Sequence, residues 1–185
     1  MAVFKIVNEP YSDPEDIFRE IRYIYNPQKC IYTNSINLVS SDPYIIRNQF
    51  LYVKSYYGKQ GGKQLEHFVL SLDTEWEEWN VGVDSLIVFI AFFLAEFRDY
   101  QMASAIHRSR TNLHVHFIMN SVNMKNGKHF HLTKQEFDSF MYNIGELLSI
   151  KDIALKGYTY YDESGRMHRG ESSSPFLYPH KQPRY

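Results

Sequence analysis

Between Ala105 and Asn123 the chain reads AIHRSRTNLHVHFIMNSVN, and this stretch holds three of its eight histidines, His107, His114 and His116. In a strand, alternate residues face one side. His114 and His116 therefore stand together, while Leu113, Val115, Phe117 and Met119 face the opposite side as a core. His107 ends the preceding apolar stretch and can cross the polar turn RSRTN to join the pair. Three neutral imidazoles can converge on one divalent cation and leave positions open for water or a substrate oxygen. Three solvent-facing strand histidines with no ligand would show the same spacing, which leaves both readings open. Either way, the pair is expected on the side of the sheet away from the apolar layer. Tyrosine is the other residue type able to do chemistry, but with fifteen present, composition cannot choose among them.

Several elements must hold these residues in place. AVFKIV reads as a first strand. In YSDPEDIFREIRYIYNP, Ser12 and Glu15 have capping-box spacing, Pro14 suits a first helical turn, and Ile17, Ile21 and Ile24 keep a helical period up to the Asn26-Pro27 stop. A second helix is expected between Ser40 and Tyr57, starting near Asp42-Pro43, followed by the basic, glycine-rich loop YGKQGGKQ. LEHFVLSLD alternates, with His67, Val69 and Ser71 on one side. A buried helix is expected at about residues 83–98. Two strands follow, YQMASAIH and LHVHFIMN, as a hairpin. Thr133 and Glu136 then cap a helix with Phe137, Phe140, Met141, Ile144, Leu147 and Leu148 at core spacing. Residues past 154 are expected to form one strand pair and a loosely held tail. The fold class is α+β, helices packed on a sheet in which at least one strand pair is antiparallel. The expected division is one domain at 1–155 and the strand pair with its tail at 156–185.

The 185 residues suffice for one domain with a real core, and 44% are hydrophobic. A formal charge of −1 gives no global sign of nucleic acid, although a local basic groove is compatible with it. The single cysteine, Cys30, excludes an internal disulfide and a Cys-rich metal motif, in keeping with a reducing cytoplasm. LIVFIAFFLA is too short to span a bilayer, so no membrane role is expected.

The histidine stretch resembles the third motif of conjugative relaxases, the mobilization nucleases of the MOB-P type, which reads roughly A-x-H-x-D-x-x-N-L-H-x-H-x-x-x-N. His107, Asn112, Leu113, His114, His116 and Asn120 fall on it in register, and GKHFHLTKQEF is similar to the family's glycine-containing turn and helix. IRYIYNPQK resembles the first motif, placing Tyr23 on the family's nucleophile and Lys29 on its lysine. HFVLSLDTE resembles the second, placing His67 and Ser71 on its fixed positions. The resemblance implies that residues 1–155 are a relaxase nuclease domain, a central antiparallel sheet flanked by helices, that nicks one strand of DNA at an origin of transfer. Tyr23 would attack the scissile phosphate and keep the 5′ phosphate as a phosphotyrosine. His107, His114 and His116 would bind a divalent metal, Mn or Mg in cells, with Zn, Co or Ni also suited to imidazole. Ser71, Asn112, Asn120 and Lys29 would support the site. Single-stranded DNA would be the partner, with accessory relaxosome proteins and a coupling protein beside it, in the cytoplasm. Family members usually continue well past this length, so the resemblance implies a nuclease domain belonging to a longer protein.

A phenol with a pKa near 10 is a poor nucleophile at neutral pH and needs a base, a metal or a cation beside it. Tyr25 competes with Tyr23, but residues two apart on a helix face different ways, and motif register favours Tyr23. Arg108 and Arg110 in the hairpin turn, with Lys59 and Lys63 in the glycine-rich loop, are the expected DNA contacts. The sequence departs from the family at Ser109, where an aspartate is usual; Glu66, Asp73 or Glu75 could replace that carboxylate. Two other readings stay open: a rolling-circle replication initiator, and a catalytically weakened DNA-binding accessory protein of the same fold.

Overall fold

A computed structural model describes residues 2–72, 90–91, 93, 96–109, 112–150, 153–161 and 167–170, with backbone alone for 156–161 and 167–170. In chain order the elements are β1 (Ala2–Ile6), α1 (Pro14–Ile24), β2 (Cys30–Ile36), α2 (Pro43–Tyr56), β3 (Leu65–Leu72), β4 (Met102–Arg108), β5 (Leu113–Asn120), α3 (Lys134–Ser149), β6 (Leu155–Tyr161) and β7 (Met167–Gly170). Ile90, Ala91, Phe93 and Glu96 are helical; the rest of the helix expected at 83–98 falls mainly outside the described residues.

The strands form one seven-stranded sheet in the order β2-β4-β5-β3-β1-β6-β7. Pairing is antiparallel except between β1 and β6, which run parallel. The fold class is thus α+β, as expected, with a largely antiparallel sheet between helices. The strand pair expected after residue 154 is present as β6 and β7, and β6 joins the sheet through β1. The edge strand β2 was not expected. Its side chains alternate between half-buried and exposed, so CIYTNSI has no strongly apolar side to announce a strand.

Local sequence explains the helices. α1 begins one residue later than the Ser12 reading: Asp13 is the N-cap, its side chain accepts from the Glu15 backbone, and Asp16 closes the capping box. Aspartate accepts these amide protons more strongly than serine would, because it carries charge at the positive end of the helix dipole. Asp42 caps α2 and Thr133, with Glu136, caps α3. At Gly127 the backbone is left-handed, and a Cβ there would lie 2.4 Å from the Tyr57 ring.

Both faces of the sheet are covered. On one side Phe4, Phe68, Leu70, Val115 and Phe117 pack with Phe93 and with Phe140, Met141 and Ile144 of α3. On the other side Leu65, Ala103, Ala105 and Ile118 pack under Ile17, Ile21 and Ile24 of α1 and Ile46 and Phe50 of α2. Residues paired across antiparallel strands share a face, and the pairs Ala105↔His116 and His107↔His114 put the histidines on this second side. The histidines thus face away from the layer of Leu113, Val115, Phe117 and Met119, as expected, but the expectation that their own side of the sheet is exposed is corrected. Two helices cover that side, because the isoleucine stripe of α1 needs a surface to bury against.

Candidate active site: a row of buried imidazoles under α1

The β3, β4 and β5 registers assemble the row. Val69 pairs with His116 and Ser71 with His114, so β3 adds His67, Val69 and Ser71 to the face that carries His107, His114 and His116. His67, His107 and His116 are buried and His114 is half-buried. The His107 and His116 ring centroids lie 4.5 Å apart, and those of His114 and His116 lie 6.2 Å apart.

α1 brings Tyr23 to this row. Its buried residues, Ile17, Ile21 and Ile24, fix the helix against the sheet, which leaves Tyr23 at the margin of the interface. The ring stands edge-on to His107 and His116, at 5.5 and 5.6 Å between centroids, and remains 44% exposed. A phenol there meets both the imidazoles and solvent. The Lys29 ammonium lies 5.5 Å from the centre of the Tyr23 ring, and the Lys29 carbonyl accepts from the Arg108 backbone, which ties the α1–β2 turn to the end of β4. Tyr25 caps α1 and packs into the core of that side, and burial pushes its phenol pKa up to about 12.

Burial also sets the charge of the histidines. Desolvation holds His107, His114 and His116 below the ordinary imidazole value, each with a further contribution from neighbouring imidazoles or Lys29. His67 falls to about 4, through burial first and the charge of Lys5 second. All four are neutral at pH 7 and keep a nitrogen lone pair.

The remaining expected site residues are placed as follows. Ser71 sits beside His114 in the register. Asn120 is buried at the far end of β5, where its amide donates to the Phe50 carbonyl and to Gln101, so it joins strand to helix. Asn112 and Ser109 bind each other: the Ser109 hydroxyl donates to Asn112 and accepts from the Asn112 backbone N–H. Ser109 thus closes the β4–β5 turn. Of the carboxylates that could replace an aspartate at position 109, Glu66 is paired with Lys63 at 2.6 Å, and Asp73 and Glu75 lie outside the described residues. Lys63 is engaged in that pair, Lys59 and Arg108 are exposed, and Arg110 lies outside the described residues.

Two residues of the site were not among the expected site residues, although His67 fell on a fixed position of the second motif. His67 lies on the imidazole face, and the alternation of LEHFVLSLD already pointed it there. Tyr11 donates to or accepts from His67 Nδ1 at 3.1 Å; nothing in its local sequence signals this.

The donor set suits a divalent metal chemically, since three neutral imidazoles share one face. His107 Nε2 donates to the Ile24 carbonyl at 2.6 Å, which leaves Nδ1 as its lone pair. As the rings stand, no group of three His, Cys, Asp or Glu side chains among the described residues is spaced to hold an ion. Nor is any helix among the described residues long and apolar enough to cross a membrane.

Neither the curated proteins nor the solved structures give a significant match to the chain. The family model for the relaxase nuclease domain, MobA/VirD2-like, matches residues 23–147, a segment that begins at Tyr23 and contains every histidine of the row. Because this match covers more than half of the sequence, the chain is a member of the MobA/VirD2-like relaxases, a family of DNA-nicking enzymes.

Proposed function

We propose that the chain nicks one DNA strand at an origin of transfer by attack of the Tyr23 hydroxyl on a phosphodiester. The Tyr23 oxygen bonds to phosphorus, the 3′ oxygen of the upstream nucleotide leaves with a proton, and the 5′ phosphate stays on Tyr23. The phosphodiester energy is kept in the phosphotyrosine, so a later 3′ hydroxyl can reseal the strand without ATP. What carries this reading is the position of Tyr23: half-exposed, edge-on to His107 and His116, with Lys29 beside its ring. The Lys29 ammonium supplies positive charge where the phenolate and phosphate would meet. Tyr25, half-buried and with its phenol pKa pushed up to about 12 by desolvation, is a poor second choice.

His107, His114 and His116 would hold a divalent cation, Mn or Mg in the cytoplasm. Such a cation polarises a non-bridging phosphate oxygen when bound. His107, whose Nε2 donates to the Ile24 carbonyl, has the Nδ1 lone pair left for this role, while Ser71 lies next to His114 as a supporting hydroxyl. Arg108, Lys59 and Lys29 offer exposed positive charge to a single strand. Accessory relaxosome proteins and a coupling protein would act around the nicked complex.

A labelled single-stranded oligonucleotide from the cognate origin, incubated with Mn²⁺ and run on a denaturing gel, tests this. The expected result is a covalent adduct that is lost in Tyr23→Phe and retained in Tyr25→Phe. The reverse pattern moves the nucleophile to Tyr25. Retention of DNA without any adduct favours the accessory DNA-binding reading, which the Ser109 hydroxyl, spent on Asn112 in the turn where the family has an aspartate, supports.

A further inference from the structure

Behind His116 lies a second imidazole that nicking chemistry does not call on. His67 Nε2 is 3.1 Å from His116 Nδ1, and His67 Nδ1 is 3.1 Å from the Tyr11 hydroxyl and 3.6 Å from Glu20 Oε2. His67 and Tyr11 are 5% and 6% exposed, so these contacts are shielded from competing water. Tyr11 holds its place with a left-handed backbone, φ 40°, a conformation unfavourable for a non-glycine residue. The Tyr11 carbonyl accepts from Gln64 N at 2.7 Å, which anchors this turn to the start of β3. Separate elements therefore converge on one imidazole: the β1–α1 loop through Tyr11, α1 through Glu20, and β5 through His116.

Only one of the two facing nitrogens, His67 Nε2 and His116 Nδ1, can carry the shared proton when both rings are neutral. The Glu20 carboxylate and the Tyr11 oxygen both favour an N–H at His67 Nδ1. His67 Nε2 is then an acceptor, His116 Nδ1 bears the proton, and His116 Nε2 is left with its lone pair. We infer that His67 is a positioning residue that fixes the tautomer and ring orientation of His116, so that His116 Nε2 is the nitrogen presented to a divalent cation. The cation half of this inference rests on the reading of His116 as a metal ligand; the tautomer half does not.

Two measurements on the full chain test it. The first needs no metal. Long-range ¹H–¹⁵N correlation at pH 7 on ¹⁵N-histidine protein, with His116 assigned by its loss in His116→Gln, is expected to show the Nδ1–H form of His116 alone. In His67→Ala a mixture or the Nε2–H form should replace it. An Nε2–H form in the wild type, or an unchanged Nδ1–H form in His67→Ala, overturns the proposal. The second is titration with Mn²⁺ by calorimetry. His67→Ala is expected to bind about tenfold to a hundredfold more weakly than wild type, the usual cost of losing a hydrogen bond behind a ligand. His67→Gln, whose amide oxygen can accept from His116 Nδ1, should stay within about threefold of wild type. A merely structural His67 would give equal losses in both variants, or none, and that result also overturns the proposal. Wild-type protein that takes up no Mn²⁺ overturns the metal reading, and the tautomer measurement then still decides the role of His67. If His67→Ala does not fold, the wild-type tautomer and His67→Gln carry the test.

Discussion

On the side of the sheet under α3, Phe4, Phe68 and Phe117 are buried in a layer of apolar rings, the Phe93 ring stacks 3.9 Å from Phe117, and the buried Ser104 opposite Phe117 donates to the Asn34 carbonyl of the neighbouring strand. On the side under α1 and α2, His67, His107, His116 and Asn120 are equally buried. The first side rests mainly on area and fit, since apolar rings lose nothing by leaving water. The second must replace every hydrogen bond that water made, or lose stability. It does so with groups of fixed direction: Tyr11 and His116 for His67, the Ile24 carbonyl for His107, and the Phe50 carbonyl and Gln101 for Asn120. Neither of the described buried side-chain atoms without a hydrogen-bond partner, Arg47 Nε and Gln64 Oε1, belongs to the imidazole row. One sheet thus separates cohesion from chemistry, and its two sides should respond differently to substitution.

The sharpest contrast is between Tyr23 and Phe117. Under the proposed function, Tyr23→Phe should lower adduct formation roughly a thousandfold or more, because the half-buried Tyr25, with its raised pKa, is a poor replacement for the attacking atom. Its stability should stay within about 0.5 kcal/mol of wild type, since the hydroxyl is at the margin of the interface. Phe117→Ala should do the converse, costing about 3–5 kcal/mol in urea unfolding through the cavity it leaves. If Tyr23→Phe proves strongly destabilising, the separation between the two sides fails.

Acid should strike the imidazole side first. His67 and His116 are held neutral by burial, so their folded pKa values lie below those of the unfolded chain. The unfolded chain then binds more protons, and stability falls as pH drops through about 6.5. In protein kept metal-free with a chelator, each of the two should cost about 1 kcal/mol between pH 6.5 and pH 5.5. Thermal melts across that range check this, and His67→Gln should remove its share of the slope. A flat profile would mean that these rings are wetter than their contacts imply. The smallest effect is expected at Ser109. Its hydroxyl serves the turn, so Ser109→Ala should cost about 1 kcal/mol and change adduct yield less than threefold.

Much of this was legible in the sequence, and the failures are instructive. LHVHFIMN gave β5 to the residue, and its alternation placed the histidine pair on one side. Alternation within a strand reports sides but not what covers them, so it was missed that α1 and α2, both expected as helices, cover His116, although the period of Ile17, Ile21 and Ile24 already demanded a surface. The tyrosine beside the histidines came from motif spacing; no periodicity would have chosen Tyr23 among its neighbours. Tyr11 and the His67–His116 contact depend on a loop and a register, neither of which local sequence encodes. The parallel pairing of β1 with β6 escaped for the same reason.

That last pairing bears on how the protein is made. β1 lies between β3 and β6, and its partners include Ser71 on one edge and Gly157 on the other. While a ribosome is still extending the chain, β2, β4, β5 and β3 can already associate through their antiparallel ladders, whereas the second edge of β1 has no mate until the segment past Leu155 emerges. For that interval an unpaired strand edge is offered to any neighbouring nascent chain. The last step of assembly is therefore a closure over some 150 residues, the slowest kind of contact for a chain to find.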